Sequence, residues 1–259
     1  MAWKLAERRA EKKKEKRDPA GSMSVVDHLK ELRDRIVWSL LAVAIGAVVC
    51  FIFFEVIIDL LVEPYRDATV SPAYPDGKPL IFTHPLEAFS TRIKVAVYGG
   101  FVIASPVVFF HLWRFITPGL HDNEKKYAIP FVVSSVVLFV GGSGVAILTF
   151  PKALNFLLNV GGGDLDALLS AGSYITLVFL MILAFGVSFE FPIVIMFLLL
   201  ARVLNTQQLR KARKFTFLGL VIFCAVITPS QDPISLFAMA VPMYLLFEGS
   251  IILGRILKR

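Results

Sequence analysis

The sequence predicts an all-α, polytopic membrane protein with six transmembrane helices and both termini on the cytoplasmic side. Three observations carry that expectation. Hydrophobic residues make up 56% of the 259 positions, and the mean hydropathy of +0.71 lies well above a globular composition. The apolar residues fall into blocks, six of which approach the roughly 20 residues that a spanning helix needs. Lys and Arg concentrate in every second link between these blocks, as the retention of positive charge in the cytoplasm requires.

Residues 1–26 read as a basic cytoplasmic tail. KLAERRAEKKKEKRDPAGSMSVV mixes Glu with Lys and has no apolar run or small-residue cleavage site, so it is expected to be a solvated or lipid-facing tail and not a signal peptide. A six-helix domain occupies 27–254, with spans at about 36–61, 88–113, 128–150, 174–202, 215–228 and 234–254. Residues 255–259 form a cytoplasmic C-terminal tail.

The first span is led in by DHLKELRDRI, residues 27–36. Leu29, Leu32 and Ile36 make an apolar stripe at helical spacing, while Glu31 and Arg35, like Lys30 and Asp34, stand four residues apart. In the third span GGSG, 141–144, supplies small residues for close helix packing. The fourth carries a lone carboxylate, Glu190, in AFGVSFEFP, and Pro192 should disturb the helix just after it. Such a carboxyl needs a protein or water partner, or a proton, because lipid offers none. The fifth span is short: about 14 helical residues cover about 21 Å of a hydrocarbon core about 30 Å thick, so it must thin the bilayer or borrow flanking residues.

An N-terminus inside places 22 of the 27 Lys and Arg residues on the cytoplasmic side and leaves Arg66, Lys78, Arg92, Lys94 and Lys152 outside. The net charge of +7 is therefore read as a topology signal, and no nucleic-acid partner is expected. Cys50 and Cys224 fall inside spans, where a thiol acts as a small apolar group. No stretch matches a nucleophile, phosphate-loop or metal-ligand pattern, so no catalytic residue, cofactor or metal is expected.

Two acidic sites flank the cytoplasmic mouth. Glu31 belongs either to an interfacial amphipathic helix with local ion pairs or to a binding site. The link WRFITPGLHDNEKKY, 113–127, turns at Pro118-Gly119 and brings Asp122 and Glu124 to the membrane surface. It is either a solvated, topology-fixing loop or the second half of a cation site, since carboxylates on two elements can jointly hold a cationic ligand.

Five blocks in order are similar to the TatC family, the polytopic core subunits of the twin-arginine protein translocase. They are HLKELRDR at 28–35, PLEAFSTRIKV at 85–95, SPVVFFHLWRFITPGLHDNEKK at 105–126, FGVSFEFP at 185–192, and TPSQDP at 228–233 followed by AVPMYLLFE at 240–248. The resemblance runs from about Asp27 to Glu248 and implies a receptor and scaffold without an active site. It implies that Glu31 and Glu124 bind the consecutive arginines of a signal peptide on folded cargo, which suits carboxylates because guanidinium offers a planar fork of donors. It further implies that Arg33, Phe115, Pro118 and Gly119 support the cytoplasmic site and that Pro64 belongs to an outer cap. With peptide reading placed at Glu31 and Glu124, Glu190 is left either as a polar contact for a partner's membrane helix or as the holder of a purely internal hydrogen bond. Implied partners are TatA-like and TatB-like single-span proteins, membrane lipid and further copies of the chain. The implied setting is the bacterial cytoplasmic (inner) membrane, with the proton-motive force as energy source.

The sequence departs from the family pattern at His111, where Gln or Glu is usual, and at Lys125-Lys126, where arginines are frequent. The rival reading is a proton-coupled secondary transporter using Glu190.

Overall fold

The structure, a computed structural model, describes residues 25–116, 128–160 and 168–256. Among these the secondary structure is helical apart from two isolated bridges. In chain order the helices are α1 (Val25–Ile52), α2 (Phe54–Ala68), α3 (Glu87–Ile116), α4 (Ala128–Val160), α5 (Ala171–Ser188), α6 (Phe191–Leu200), α7 (Thr206–Ile227) and α8 (Pro233–Ile256). Five units are long and apolar enough to cross a membrane: α1, α3, α4, α5 with α6, and α8. The basic tail to Ser24, the residues 117–127 that contain Pro118, Gly119 and Glu124, and the last three residues lie outside the described ones.

Several boundaries differ from the sequence expectation for identifiable reasons. The first span does not run on to residue 61: α1 stops at Ile52, and after Phe53 the chain restarts as α2. Pro64 sits inside α2 and is half-buried there. The fifth span lengthens at its basic end, as a short apolar block requires. Asn205 caps α7 through a capping box with Gln208, which recruits the Arg210 to Lys214 segment into a 22-residue helix about 33 Å long.

The fourth span breaks at Phe189-Glu190, at the carboxylate itself and not just after it. Proline has no N–H to give the Ser188 carbonyl, and its ring crowds that carbonyl, so the irregularity falls in the preceding turn. Glu190 closes α5 with an N–H bond to Val187 O (3.1 Å), and its own carbonyl accepts from Ile193 and Val194 to start α6.

The core lies where α4, α5 and α8 meet, with Phe139, Leu154, Tyr174, Ile175, Phe185 and Met243 almost wholly buried. Gly142 in GGSG meets the Phe185 carbonyl so closely that a Cβ would lie 2.7 Å from it, so the small-residue expectation holds there. The α1–α3 crossing is tighter still: a Cβ on Gly100 would sit 2.5 Å from the Ala47 nitrogen. Two helices remain at the margins. α1 packs chiefly on α3, and α7 chiefly on α8, so both leave apolar flanks exposed, Trp38, Leu40 and Ile45 on α1 and Phe215, Leu218 and Val226 on α7.

Candidate functional site

The antiparallel contact of α1 and α3 brings the first turns of α1 against the last turns of α3. His28 stacks on Phe115 with ring centroids 4.4 Å apart and planes 15° from parallel. One turn further along α1, Arg35 Nη2 donates to Glu31 Oε1 at 2.7 Å, and both side chains are only 19% exposed. Beside them a cavity of about 310 Å³ opens between the helices, lined by Leu32, Arg35, Ile36, Phe101, His111 and Phe115 among others.

The hydrogen-bond inventory of this mouth is incomplete. Glu31 Oε2 and His111 Nδ1 are both buried and have no hydrogen-bond partner among the described residues. An ionised carboxylate can accept about four hydrogen bonds, and a buried acceptor left unmade is costly. The site therefore offers an acceptor oxygen beside an apolar groove, an arrangement suited to a guanidinium or ammonium group carried on an apolar chain.

The other sequence-derived residues fall in different places. Arg33 is exposed and turns to its neighbour Asp34 at 2.8 Å, not to Glu31. Lys30 approaches Asp27 at 3.7 Å instead of Asp34. Glu124, Pro118 and Gly119 lie outside the described residues, so nothing places them against Glu31. Pro64 faces α4 and α5 across a cavity of about 220 Å³ that Phe150 and Met181 also line. Next to it, Tyr174 donates its hydroxyl to the Leu61 carbonyl at 2.7 Å, holding α2 to the core.

Glu190 sits in the helix break, half-buried, with its carboxyl hydrogen-bonded to Ser135. Ser135 is fully buried and also accepts the Trp113 indole N–H at 2.7 Å. Glu190 Oε1 is buried without a partner among the described residues. Trp113 stacks on Phe131 at 4.6 Å, so this polar cluster is walled by aromatic rings from α3 and α4.

Sequence reasoning assigned no role to Glu87, the most heavily bonded carboxylate among the described residues. Its Oε2 accepts from the Thr83 N–H (2.6 Å) and hydroxyl (2.8 Å), and its Oε1 from the Ser170 hydroxyl (2.5 Å) and the Gly172 N–H (2.8 Å). It thereby ties the outer link to the start of α5, beside the isolated bridge between Ile81 and Ser170. The available signal was an acidic residue in the first turn of a helix, four residues after Thr83. Among the described residues no group of three His, Cys, Asp or Glu side chains is placed to hold a metal ion.

The chain is similar over most of its length to known proteins. Residues 27–242 match the family model described as Sec-independent protein translocase protein (TatC). The Sec-independent protein translocase protein TatC of Frankia casuarinae is 42% identical over 238 residues, covering 90% of this chain and 65% of that one. Its counterpart in Aquifex aeolicus is 38% identical over 240 residues, covering 92% of this chain and 97% of that one. The chain thus spans just under two thirds of the Frankia protein and nearly all of the Aquifex one. A crystal structure of the twin arginine translocase receptor TatC superimposes with a TM-score of 0.71 at 37% identity, covering 90% of this chain and all of that one.

Proposed function

The chain belongs to the TatC family, and from that premise we propose that it is the receptor and core subunit of a twin-arginine translocase. It binds signal peptides at its cytoplasmic face and gathers TatA-like and TatB-like single-span proteins, and further copies of itself, in the bacterial inner membrane. Folded cargo then crosses at the expense of the proton-motive force. The N-terminus lies inside, which keeps 22 of the 27 cationic side chains in the cytoplasm.

One observation above the others supports this reading: a buried carboxylate oxygen, Glu31 Oε2, stands without a partner among the described residues, next in sequence to Leu32 and paired with Arg35, both of which line an apolar groove. A twin-arginine signal peptide carries the two matching features, guanidinium donors and an apolar stretch. Because Arg35 already occupies Oε1, Glu31 presents one oxygen and not two. The incoming arginine either takes Oε2 alone or displaces Arg35, an arginine that already models the bound state within the chain. Glu124, matched by sequence position, would supply the rest of the carboxylate pairing. Phe115, held face to face with His28, forms the apolar floor of the mouth. Arg33 serves the surface ion pairing of α1 and stays outside the peptide contact.

Glu190, with its spare oxygen in the α5–α6 break, is proposed as a polar contact for a partner's membrane helix. Helix breaks leave backbone and side-chain groups for which a neighbouring span is the available partner within lipid. The reading is tested by co-purifying the protein with a twin-arginine signal peptide and with its twin-lysine form. Preferential retention of the arginine form is expected, and equal retention of both defeats the receptor assignment.

A further inference from the structure

Positive charge is sparse on the outer side, yet three of the five Lys and Arg residues there, Arg66, Lys78 and Arg92, line one cavity of about 670 Å³. The other two do not: Lys94 donates to Thr176 Oγ1 at 3.0 Å, and Lys152 is exposed on α4. The cavity lies between α2, the outer link and the first turns of α3, with Phe54 and Phe89 among its apolar walls and Asp76 the one carboxylate in its lining.

The backbone builds this convergence. Gly77 has φ +81°, and a Cβ there would lie 2.3 Å from the Arg66 carbonyl oxygen. The outer link folds that closely back on the end of α2, and the Lys78 N–H then bonds to Thr69 Oγ1 at 2.8 Å. Lys78 is thus held beside Arg66.

Arg92 completes the set from the second turn of α3. Its guanidinium lies over Phe51 (4.6 Å) and Phe54 (5.0 Å). Its Nη2 donates to the Phe51 carbonyl at 3.4 Å, a long contact. Among the described residues its Nε, which is buried, has no acceptor, and the hydroxyl of Thr91, a residue only 2% exposed, likewise has no partner. Arg66 has Asp59 at 3.5 Å, with both side chains largely exposed. A buried guanidinium donor without an acceptor at a membrane boundary is costly unless an anion meets it. Guanidinium pairs matter-of-factly with phosphate through parallel hydrogen bonds. The cavity is also larger than a bare phosphate needs and falls in the size range of small-molecule sites, about 300–1,000 Å³.

We propose that this cavity binds one anionic phospholipid of the outer leaflet, its phosphate held by Arg66, Lys78 and Arg92 and an acyl chain lying against Phe54 and Phe89. The site is distinct from the peptide mouth at the opposite end of α1 and α3, and it rests on the proposed orientation only for the choice of leaflet.

The experiment is native mass spectrometry, with thermal unfolding in parallel, on the full chain in detergent supplied with phosphatidylglycerol, phosphatidylcholine or inorganic phosphate. One phosphatidylglycerol should be retained per chain and should raise the unfolding midpoint, whereas the other two additions should not. Arg92→Gln should lower that retention roughly tenfold, since hydrogen bonds to a charged group are lost. Ala88→Trp, which fills the cavity from its lining and leaves every cation in place, should do the same and keep twin-arginine peptide capture. Lys152→Gln should change neither. Equal retention of phosphatidylcholine, equal stabilisation by phosphate alone, or undiminished retention in Ala88→Trp overturns the proposal.

Discussion

Glu31 and Glu87 stand at opposite ends of the α1–α3 pair, and the fold treats them in opposite ways. Glu87 receives four hydrogen bonds from Thr83, Ser170 and Gly172, three positions in two separate segments. Among the described residues Glu31 has one partner, Arg35, on its own helix, and a buried oxygen with none. The first carboxylate is saturated by the chain and joins parts of it together. The second is left half-paired beside a groove, which is what a receptor for a cationic ligand requires. Charge and size are the same in the two cases; the difference lies in how many donors the fold aims at each.

That contrast can be broken most severely at the outer end. Glu87→Ala should lower the thermal midpoint by more than about 5 °C, read by thermal unfolding in detergent, because it leaves the Thr83, Ser170 and Gly172 donors unmatched. The fraction that stays folded should still capture the twin-arginine peptide.

Gly100→Val attacks the pair from the middle. The clash would be with the backbone nitrogen of Ala47, which cannot swing aside as a side chain can, so α1 must move from α3 at a cost of about 1–3 kcal/mol. Both the midpoint and peptide capture should fall, since the mouth exists only while the two helices touch. Unchanged capture would show that the peptide does not use the α1–α3 groove.

At the cytoplasmic end the effect should be functional and not structural. Glu31→Ala should shift the midpoint by less than about 2 °C while reducing peptide retention roughly tenfold or more. Arg35→Gln should act more gently and in the other direction: freeing Oε1 for the ligand raises retention by about threefold, or about 0.6 kcal/mol. A loss of retention would mean that Arg35 orients Glu31 and does not compete with the peptide. The smallest change in peptide binding is expected at the α5–α6 break, where Glu190→Ala should leave capture intact and weaken cross-linking to a single-span partner.

The legible and illegible parts of the molecule divide along physical lines. The spans were readable because membrane insertion acts on composition over some 20 residues at a time, and even the short fifth span announced that it must borrow from its flanks. The Glu31–Arg35 pair was readable because its partners are four residues apart on one helix. The Glu87 network was not, because Gly172 lies 85 residues away in sequence and only the fold brings it near. For the same reason the convergence of Arg66, Lys78 and Arg92 was hidden among five scattered outer cations. The break at Glu190 was half-legible: Pro192 announced it, but which side it fell on depended on the Ser188 carbonyl that the proline could not serve.

The division between a saturated and a half-paired glutamate is tested most directly by measuring peptide retention and thermal midpoint together on Glu31→Gln and Glu87→Gln, with the arginine and lysine peptides. Glu31→Gln should keep the midpoint and lose the preference for arginine, while Glu87→Gln should lose stability and keep the preference. If Glu31→Gln retains full arginine selectivity, or if the two variants fail in the same way, the two carboxylates do not divide the work between binding and structure.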